Sequence, residues 1–82
     1  MKIDVKLLCV DIPKDNSKGV LELPDGATVE TAVERYALEY GLKIPVFEFK
    51  KSIFLINDTS ARLGSELSGG DSLTIIRLLD GG

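Results

Sequence analysis

The sequence has 82 residues with 10 basic and 13 acidic side chains, one cysteine and no histidine, which gives a formal net charge of −3. A chain of this length forms one domain with a single compact core. The negative net charge disfavours nucleic acids and anionic membranes as partners. Near the N-terminus, charged residues interrupt the apolar ones, so we expect neither a signal-peptide core nor a membrane-spanning segment there. A lone cysteine cannot form an internal disulfide, so we expect a reducing, cytoplasmic location.

The first half of the chain predicts two strands and a helix. Residues 2–10 alternate between apolar and mostly polar side chains, which indicates a half-buried strand. A polar stretch with turn residues then leads to a second strand at Val20–Leu23, so the two strands should form a hairpin. Thr28 is suited to be the N-cap of a helix whose apolar residues recur every three or four positions as far as Tyr40, and Gly41 should end it.

The second half predicts further strands around a loop. We expect residues 42–52 to form a loop with a short strand at most, because Pro45 and two lysines interrupt its apolar residues. Ile53–Ile56 is a β-prone run that ends at an Asn-Asp turn pair, and residues 73–79 form another strand after a Gly-Gly-Asp turn. One helix can then cover one face of a mixed sheet, which predicts an α+β protein with a single β-grasp domain over residues 1–80. The predicted core comprises Ile3, Val5, Leu7, Leu21, Leu23, Val29, Val33, Leu55, Leu67, Leu73 and Ile75.

The side chains that could carry chemistry leave little room for catalysis. Without histidine, the chain supplies neither a His-dependent triad nor a His-ligated zinc site. Cys9 falls on the apolar side of the first strand, where we expect a buried, inert thiol. The aspartates stand near turns without the spacing of a calcium loop, so we expect no metal site, no permanently bound cofactor and no enzymatic activity of the chain's own.

The sequence closes on Gly81 and Gly82, which we expect to form a flexible tail. Because glycine lacks Cβ, such a tail can carry a carboxylate into a narrow channel. That carboxylate is ionised near neutrality and is a poor electrophile, so it would need an external activating enzyme. A frayed end is the alternative interpretation of the pair.

The last strand also predicts a surface for partners. Alternation along it should bury Leu73 and Ile75. The opposite side then presents Thr74, Ile76 and Leu78, which we expect to form an apolar partner-binding surface on the exposed face of the sheet.

Three segments of the chain carry a resemblance to a known family. Leu55-Ile56-Asn57, Leu67-Ser68-Gly69-Gly70-Asp71-Ser72-Leu73 and Gly81-Gly82 follow the order of a strand-Asn, Leu-x-x-Gly-Asp-x-Val/Leu and terminal Gly-Gly pattern. On these motifs the whole chain resembles the ubiquitin-like sulfur carriers, particularly the MoaD family of molybdopterin synthase small subunits and, less closely, the ThiS family of thiamine biosynthesis. It departs from many molybdopterin-type carriers at Arg77-Leu78, where they have Pro-Pro.

The resemblance implies a β-grasp protein that carries sulfur on Gly82. An ATP-dependent adenylating enzyme of the ubiquitin-activating type (MoeB- or ThiF-like) would activate that residue, and sulfur would then displace AMP to give a thiocarboxylate. The carrier would deliver the sulfur to an acceptor enzyme such as the molybdopterin synthase large subunit. The alternatives are a ubiquitin-like modifier conjugated to lysines through Gly82, a thiamine-type sulfur carrier, and a non-covalent β-grasp interaction module.

Overall fold

A computed structural model of the protein describes residues 1–9, 14, 16–41 and 50–77. These residues form five strands and one helix: β1 (Lys2–Cys9), β2 (Ser17–Glu22), α1 (Val29–Glu39), β3 (Ile53–Ile56), β4 (Thr59–Ala61) and β5 (Ser72–Arg77). The strands make one sheet in the order β2-β1-β5-β3-β4, in which β1 and β5 are parallel and the other neighbours are antiparallel. This mixed sheet with a single helix confirms the predicted α+β, β-grasp architecture. In the described part of the chain, no helix is long and apolar enough to cross a membrane.

Alternation along the strands separates a buried face of the sheet from an outer face. Every second residue of β1, from Ile3 to Cys9, lies in the core that the sheet shares with α1. The lysines and aspartate between them are exposed, and Leu8 is half-buried on the outer face. The predicted hairpin of β1 and β2 is confirmed, with Ile3 opposite Leu21 and both side chains fully buried. Cys9 is also buried, as predicted.

The core prediction is wrong at Leu55, which is half-buried, and missed its neighbour Phe54, which is only 5% exposed. The reason lies in the register between β3 and β5. Phe54 pairs with the buried Ile75, whereas Leu55 pairs with Thr74 on the outer face. All the other residues predicted for the core are buried.

Helix α1 begins and ends where its capping residues predict. The Thr28 hydroxyl accepts a hydrogen bond from the Thr31 N–H, and the Tyr40 N–H donates to the Tyr36 carbonyl at the other end. Gly41 follows with a φ of +60°, a left-handed conformation that glycine adopts without strain. Of the loop predicted over residues 42–52, residues 50–52 form a turn and a bend outside any strand, and residues 42–49 lie outside the described residues.

Two tyrosines, Tyr36 and Tyr40, fasten the end of α1 to β2. The hydroxyl of Tyr36 shares a 2.7 Å hydrogen bond with that of Ser17. The hydroxyl of Tyr40 accepts from the Val20 N–H at 2.9 Å and donates to the Val20 carbonyl at 3.2 Å. The two bonds of Tyr40 occupy the backbone groups of Val20, on the edge of β2 that no other described strand pairs with. Another strand could otherwise pair at such an edge.

Candidate partner-binding surface

The face of the sheet that points away from α1 carries the residues predicted to bind partners. On β5, Leu73 and Ile75 are completely buried, as predicted. Thr74 and Ile76 alternate with them, point to the outer face and are half-buried. Leu78, the third predicted member of the surface, lies outside the described residues, as do Gly81 and Gly82.

Strand register places further aliphatic side chains beside Ile76. Leu8 of β1 is its neighbour on one side, and Ile53 of β3, which is 45% exposed, is its neighbour on the other. Leu55 lies next to Thr74 in the adjacent row. We call the three residues Leu8, Ile76 and Ile53 the aliphatic row, since they cross three strands at one level of the outer face.

The surface predicted from the sequence did not include Leu8, Ile53 or Leu55. Leu8 could have been found, because it is an apolar residue at a position where β1 is otherwise polar. The other two belong to the uninterrupted apolar run of β3, which has no polar residue to show which side chains point outward. Their assignment depends on the pairing with β5.

The Gly81-Gly82 segment follows this surface closely in the chain. Strand β5 is the central strand of the sheet, and only Leu78, Leu79 and Asp80 stand between its last residue, Arg77, and Gly81. Even a fully extended chain places Gly81 within about 14 Å of Arg77. A protein that binds the outer face near Ile76 can therefore also reach the glycine pair.

Asn57 and Asp71, two residues of the sequence motif, form hydrogen bonds around a turn and do not belong to the outer face. The Asp71 carboxylate accepts hydrogen bonds from the Asn57 side-chain amide (2.9 Å) and the Ser68 N–H (2.8 Å). The Asn57 side-chain oxygen in turn accepts from the Ser72 N–H at 2.9 Å. Asn57 and Asp58 have φ values of 50° and 68°, as in the tight turns that join two antiparallel strands. The strand-Asn and Gly-Asp parts of the motif therefore hold β3 and the start of β5 in register.

Other groups of the described residues offer little chemistry. Cys9 is 6% exposed, and its N–H donates to the Asn16 side-chain oxygen at 2.6 Å. Among the residues that the structure describes, no cluster of three or more His, Cys, Asp or Glu side chains is arranged to hold a metal ion.

The helix-covered mixed sheet and its strand order define the ubiquitin-like β-grasp class of proteins. Within that class, the structure is similar over the full length of both chains to SAMP1, a small archaeal modifier protein of Haloferax volcanii, with a TM-score of 0.74 and 20% identity. It is similar to putative molybdopterin-converting factor subunit 1 of Pyrococcus furiosus, with a TM-score of 0.67, 18% identity, and coverage of 96% of this chain and 99% of the other.

A third similar structure is the complex of subunits 1 and 2 of molybdopterin-converting factor from Helicobacter pylori, with a TM-score of 0.65, 17% identity and all of both chains covered. No protein-family model matches the chain, and no curated protein matches it. The structural similarities confirm the ubiquitin-like fold that the sequence motifs implied.

Proposed function

We propose that this protein is a sulfur carrier for molybdopterin biosynthesis, with Gly82 as the terminal residue that receives the sulfur. The observation that carries the proposal is a ubiquitin-like domain whose central strand, β5, leads within a few residues into Gly81-Gly82. The similarity of its fold to molybdopterin-converting factor subunit 1 supports the choice of pathway. The chain itself acts as a carrier and contributes no catalytic group.

The proposed chemistry is nucleophilic substitution at the terminal carbonyl of Gly82. A carboxylate oxygen attacks the α-phosphorus of ATP, so that pyrophosphate leaves and an acyl adenylate forms. Sulfide-level sulfur then attacks the carbonyl carbon, the bond to AMP breaks, and a thiocarboxylate remains. The adenylation is needed because a free carboxylate is ionised at neutral pH and has no good leaving group. ATP is consumed by the activating enzyme and is not a cofactor of this chain.

In this scheme the outer face of the sheet binds the partner enzymes. Thr74, Ile76 and Leu78 bind first the adenylating enzyme, which is of the MoeB or ThiF type, and later the acceptor, such as the molybdopterin synthase large subunit. Glycines at 81 and 82 allow the carboxylate to enter each active site because no side chain obstructs the channel. One tail can occupy one active site at a time, so the two partners use the surface in turn.

The activation step can be tested by ATP–pyrophosphate exchange with the adenylating enzyme. Wild-type protein should stimulate the exchange, whereas deletion of Gly82 or addition of one residue after it should abolish stimulation. Both tail variants should keep the wild-type Tm, because terminal glycines have no side chain that could pack in a core. Cys9→Ser is the matched control and should still stimulate. Exchange that persists without Gly82, or is lost with Cys9→Ser in a folded protein, would rule out the proposed site.

A second candidate function is a protein modifier conjugated through Gly82. The similarity to a small archaeal modifier protein favours it, and the adenylate would be common to both functions. In this case a lysine amine rather than sulfur displaces AMP, which gives an isopeptide bond. Tagged protein purified from its own cells should then carry Gly82-linked lysines on other proteins, and the variant without Gly82 should carry none. Absence of such conjugates alongside thiocarboxylate formation would exclude this candidate.

A further inference from the structure

Two lysines lie directly opposite each other on the outer face of the sheet. Lys6 of β1 and Lys18 of β2 are partners in the antiparallel register, and both are exposed. Like charges at such positions repel each other and destabilise a sheet. Together they line a shallow groove on the face that also carries Thr74 and the aliphatic row.

The hydrogen-bond pattern shows that the two lysines form a closely spaced pair. The N–H and C=O of Val20 are bonded to the Tyr40 hydroxyl and therefore point away from β1. Bonded and non-bonded pairs alternate along an antiparallel ladder, so Lys18, two residues from Val20, is also in a non-bonded pair. Side chains of such pairs lie closer together than those of hydrogen-bonded pairs.

Neither lysine forms an ion pair with a described residue. Asp4 lies on the same face and lines the same groove, but its carboxylate is not paired with either ammonium group. Lys50 provides the contrast, since its ammonium group lies 3.1 Å from carboxylates of both Glu30 and Glu34. Hydrogen bonds to those two glutamates raise the pKa of Lys50. Lys50 thus has two carboxylate partners, whereas Lys6 and Lys18 form no ion pair with a described residue.

We propose that the Lys6–Lys18 pair binds carboxylates of an acidic segment on a partner protein, whose apolar side chains contact the adjacent aliphatic row. Charge complementarity identifies the occupant: two unneutralised ammonium groups select an anion, and the neighbouring Leu8 and Ile76 select a ligand that is also apolar. The aliphatic row favours a protein segment over a nucleic acid backbone, because a protein segment can place apolar side chains beside its carboxylates. The proposal rests on the proposed function only in naming the adenylating enzyme as the bearer of this segment.

A charge reversal at Lys18 tests whether the lysine pair binds a partner or is only solvated. Lys18→Glu places a carboxylate opposite Lys6, so it should raise the Tm of the free protein by about a few degrees. The same change should weaken binding of the acidic partner about tenfold. Arg35→Glu on the exposed side of α1 changes the net charge by the same amount and is the matched control. It should weaken binding no more than about twofold, because it acts only through the long-range field.

Binding can be followed by amide chemical-shift titration with a short synthetic peptide that alternates Glu with Leu. Shift changes should centre on Lys6, Lys18 and Ile76, weaken with added salt, and become much smaller in Lys18→Glu but not in Arg35→Glu. A Gln-Leu peptide of equal length should bind more weakly. Equal binding of the two peptides, shifts centred elsewhere, equal loss in both variants, or tighter binding of a DNA duplex would overturn the proposal.

The enzyme assay then distinguishes failure of this proposal from failure of the carrier function. In ATP–pyrophosphate exchange, Lys18→Glu should raise the KM for the carrier about tenfold and leave kcat unchanged. An unchanged KM in an otherwise active assay would overturn the role of the lysine pair and leave the carrier function standing. Absence of exchange with wild-type protein, together with peptide binding at the pair, would overturn the carrier function and leave the acidic-segment site standing.

Discussion

Replacement of Gly19 by alanine should destabilise the protein, because the ring of Tyr40 fills the space that a Cβ atom would occupy. The displaced ring would lose two hydrogen bonds between its hydroxyl and the backbone of Val20. It would also lose its contact with the ring of Tyr36, whose centroid lies 4.5 Å away. The perturbation therefore tests the contact that closes the free edge of β2.

The expected loss follows from these contacts. Two exposed hydrogen bonds contribute about 0.5–1 kcal/mol each, and the aromatic pair contributes about 0.5–1 kcal/mol. Displacement of Tyr40 thus costs about 1.5–3 kcal/mol, which the better strand propensity of alanine offsets by about 0.5–1 kcal/mol. Gly19→Ala should lower the free energy of unfolding by about 0.5–2.5 kcal/mol, or the Tm by about 2–20 °C.

A double-mutant cycle provides the assay. Urea unfolding of the wild type, Gly19→Ala, Tyr40→Ala and the double variant should give a coupling energy of about 1.5–3 kcal/mol. Once Tyr40 is truncated, the alanine at position 19 meets no ring and should be neutral or stabilising by up to about 1 kcal/mol. The same destabilisation by Gly19→Ala in both backgrounds would refute this account of the β2 edge.

Three further predictions concern the core, the turn and the pH dependence. Leu73→Ala should lower the free energy of unfolding, measured in urea, by about 2–5 kcal/mol because the Leu73 side chain is completely buried. Ile76→Asp should change the free energy of unfolding by less than about 1 kcal/mol and should weaken partner binding measured by titration calorimetry. Asp71→Ala removes the acceptor of two hydrogen bonds and should cost about 1–2 kcal/mol in the same unfolding assay. Burial raises the pKa of Tyr36 more than its hydrogen bond to a serine lowers it, so its hydroxyl loses its proton first in the unfolded state. Stability present below about pH 10 should therefore be lost as the pH rises through the raised pKa, and Tyr36→Phe should reduce this alkaline loss in unfolding curves measured across that range.

Each of these predictions has a contradicting result. Similar destabilisation by Leu73→Ala and Ile76→Asp would show that the two faces of β5 are misassigned. An Asp71→Ala protein as stable as the wild type would mean that the turn does not depend on its carboxylate. An identical alkaline transition in Tyr36→Phe would mean that another group causes the loss of stability.

Elements with one buried face could be predicted from the sequence, because the alternation of apolar and polar residues indicates which side chains point inward. In β1, charged residues at positions 2, 4 and 6 mark the outer face, so Ile3, Val5 and Leu7 were correctly placed in the core. The same holds for the helix, where Thr28 and Gly41 supply local chemistry at its two ends. Local pattern and capping chemistry need no knowledge of the rest of the chain.

Features that depend on pairing between distant strands could not be predicted in this way. The four-residue apolar run of β3 carries no alternation, so its inward residue, Phe54, is defined only by its register with β5. Strand β4 was missed because Thr59–Ala61 is short and mostly polar and is recognised as a strand only by pairing with β3. The opposition of Lys6 and Lys18 likewise emerges only from the β1–β2 register.

The central claim is tested most directly by mass spectrometry of the protein after incubation with ATP, the adenylating enzyme and a sulfide donor. The intact mass should rise by the replacement of one oxygen by sulfur, and fragmentation should place that change on Gly82. The change should require ATP, because only the adenylate gives the carbonyl a leaving group. A protein that acquires sulfur only at Cys9, or acquires it at Gly82 without ATP, would contradict the carrier mechanism.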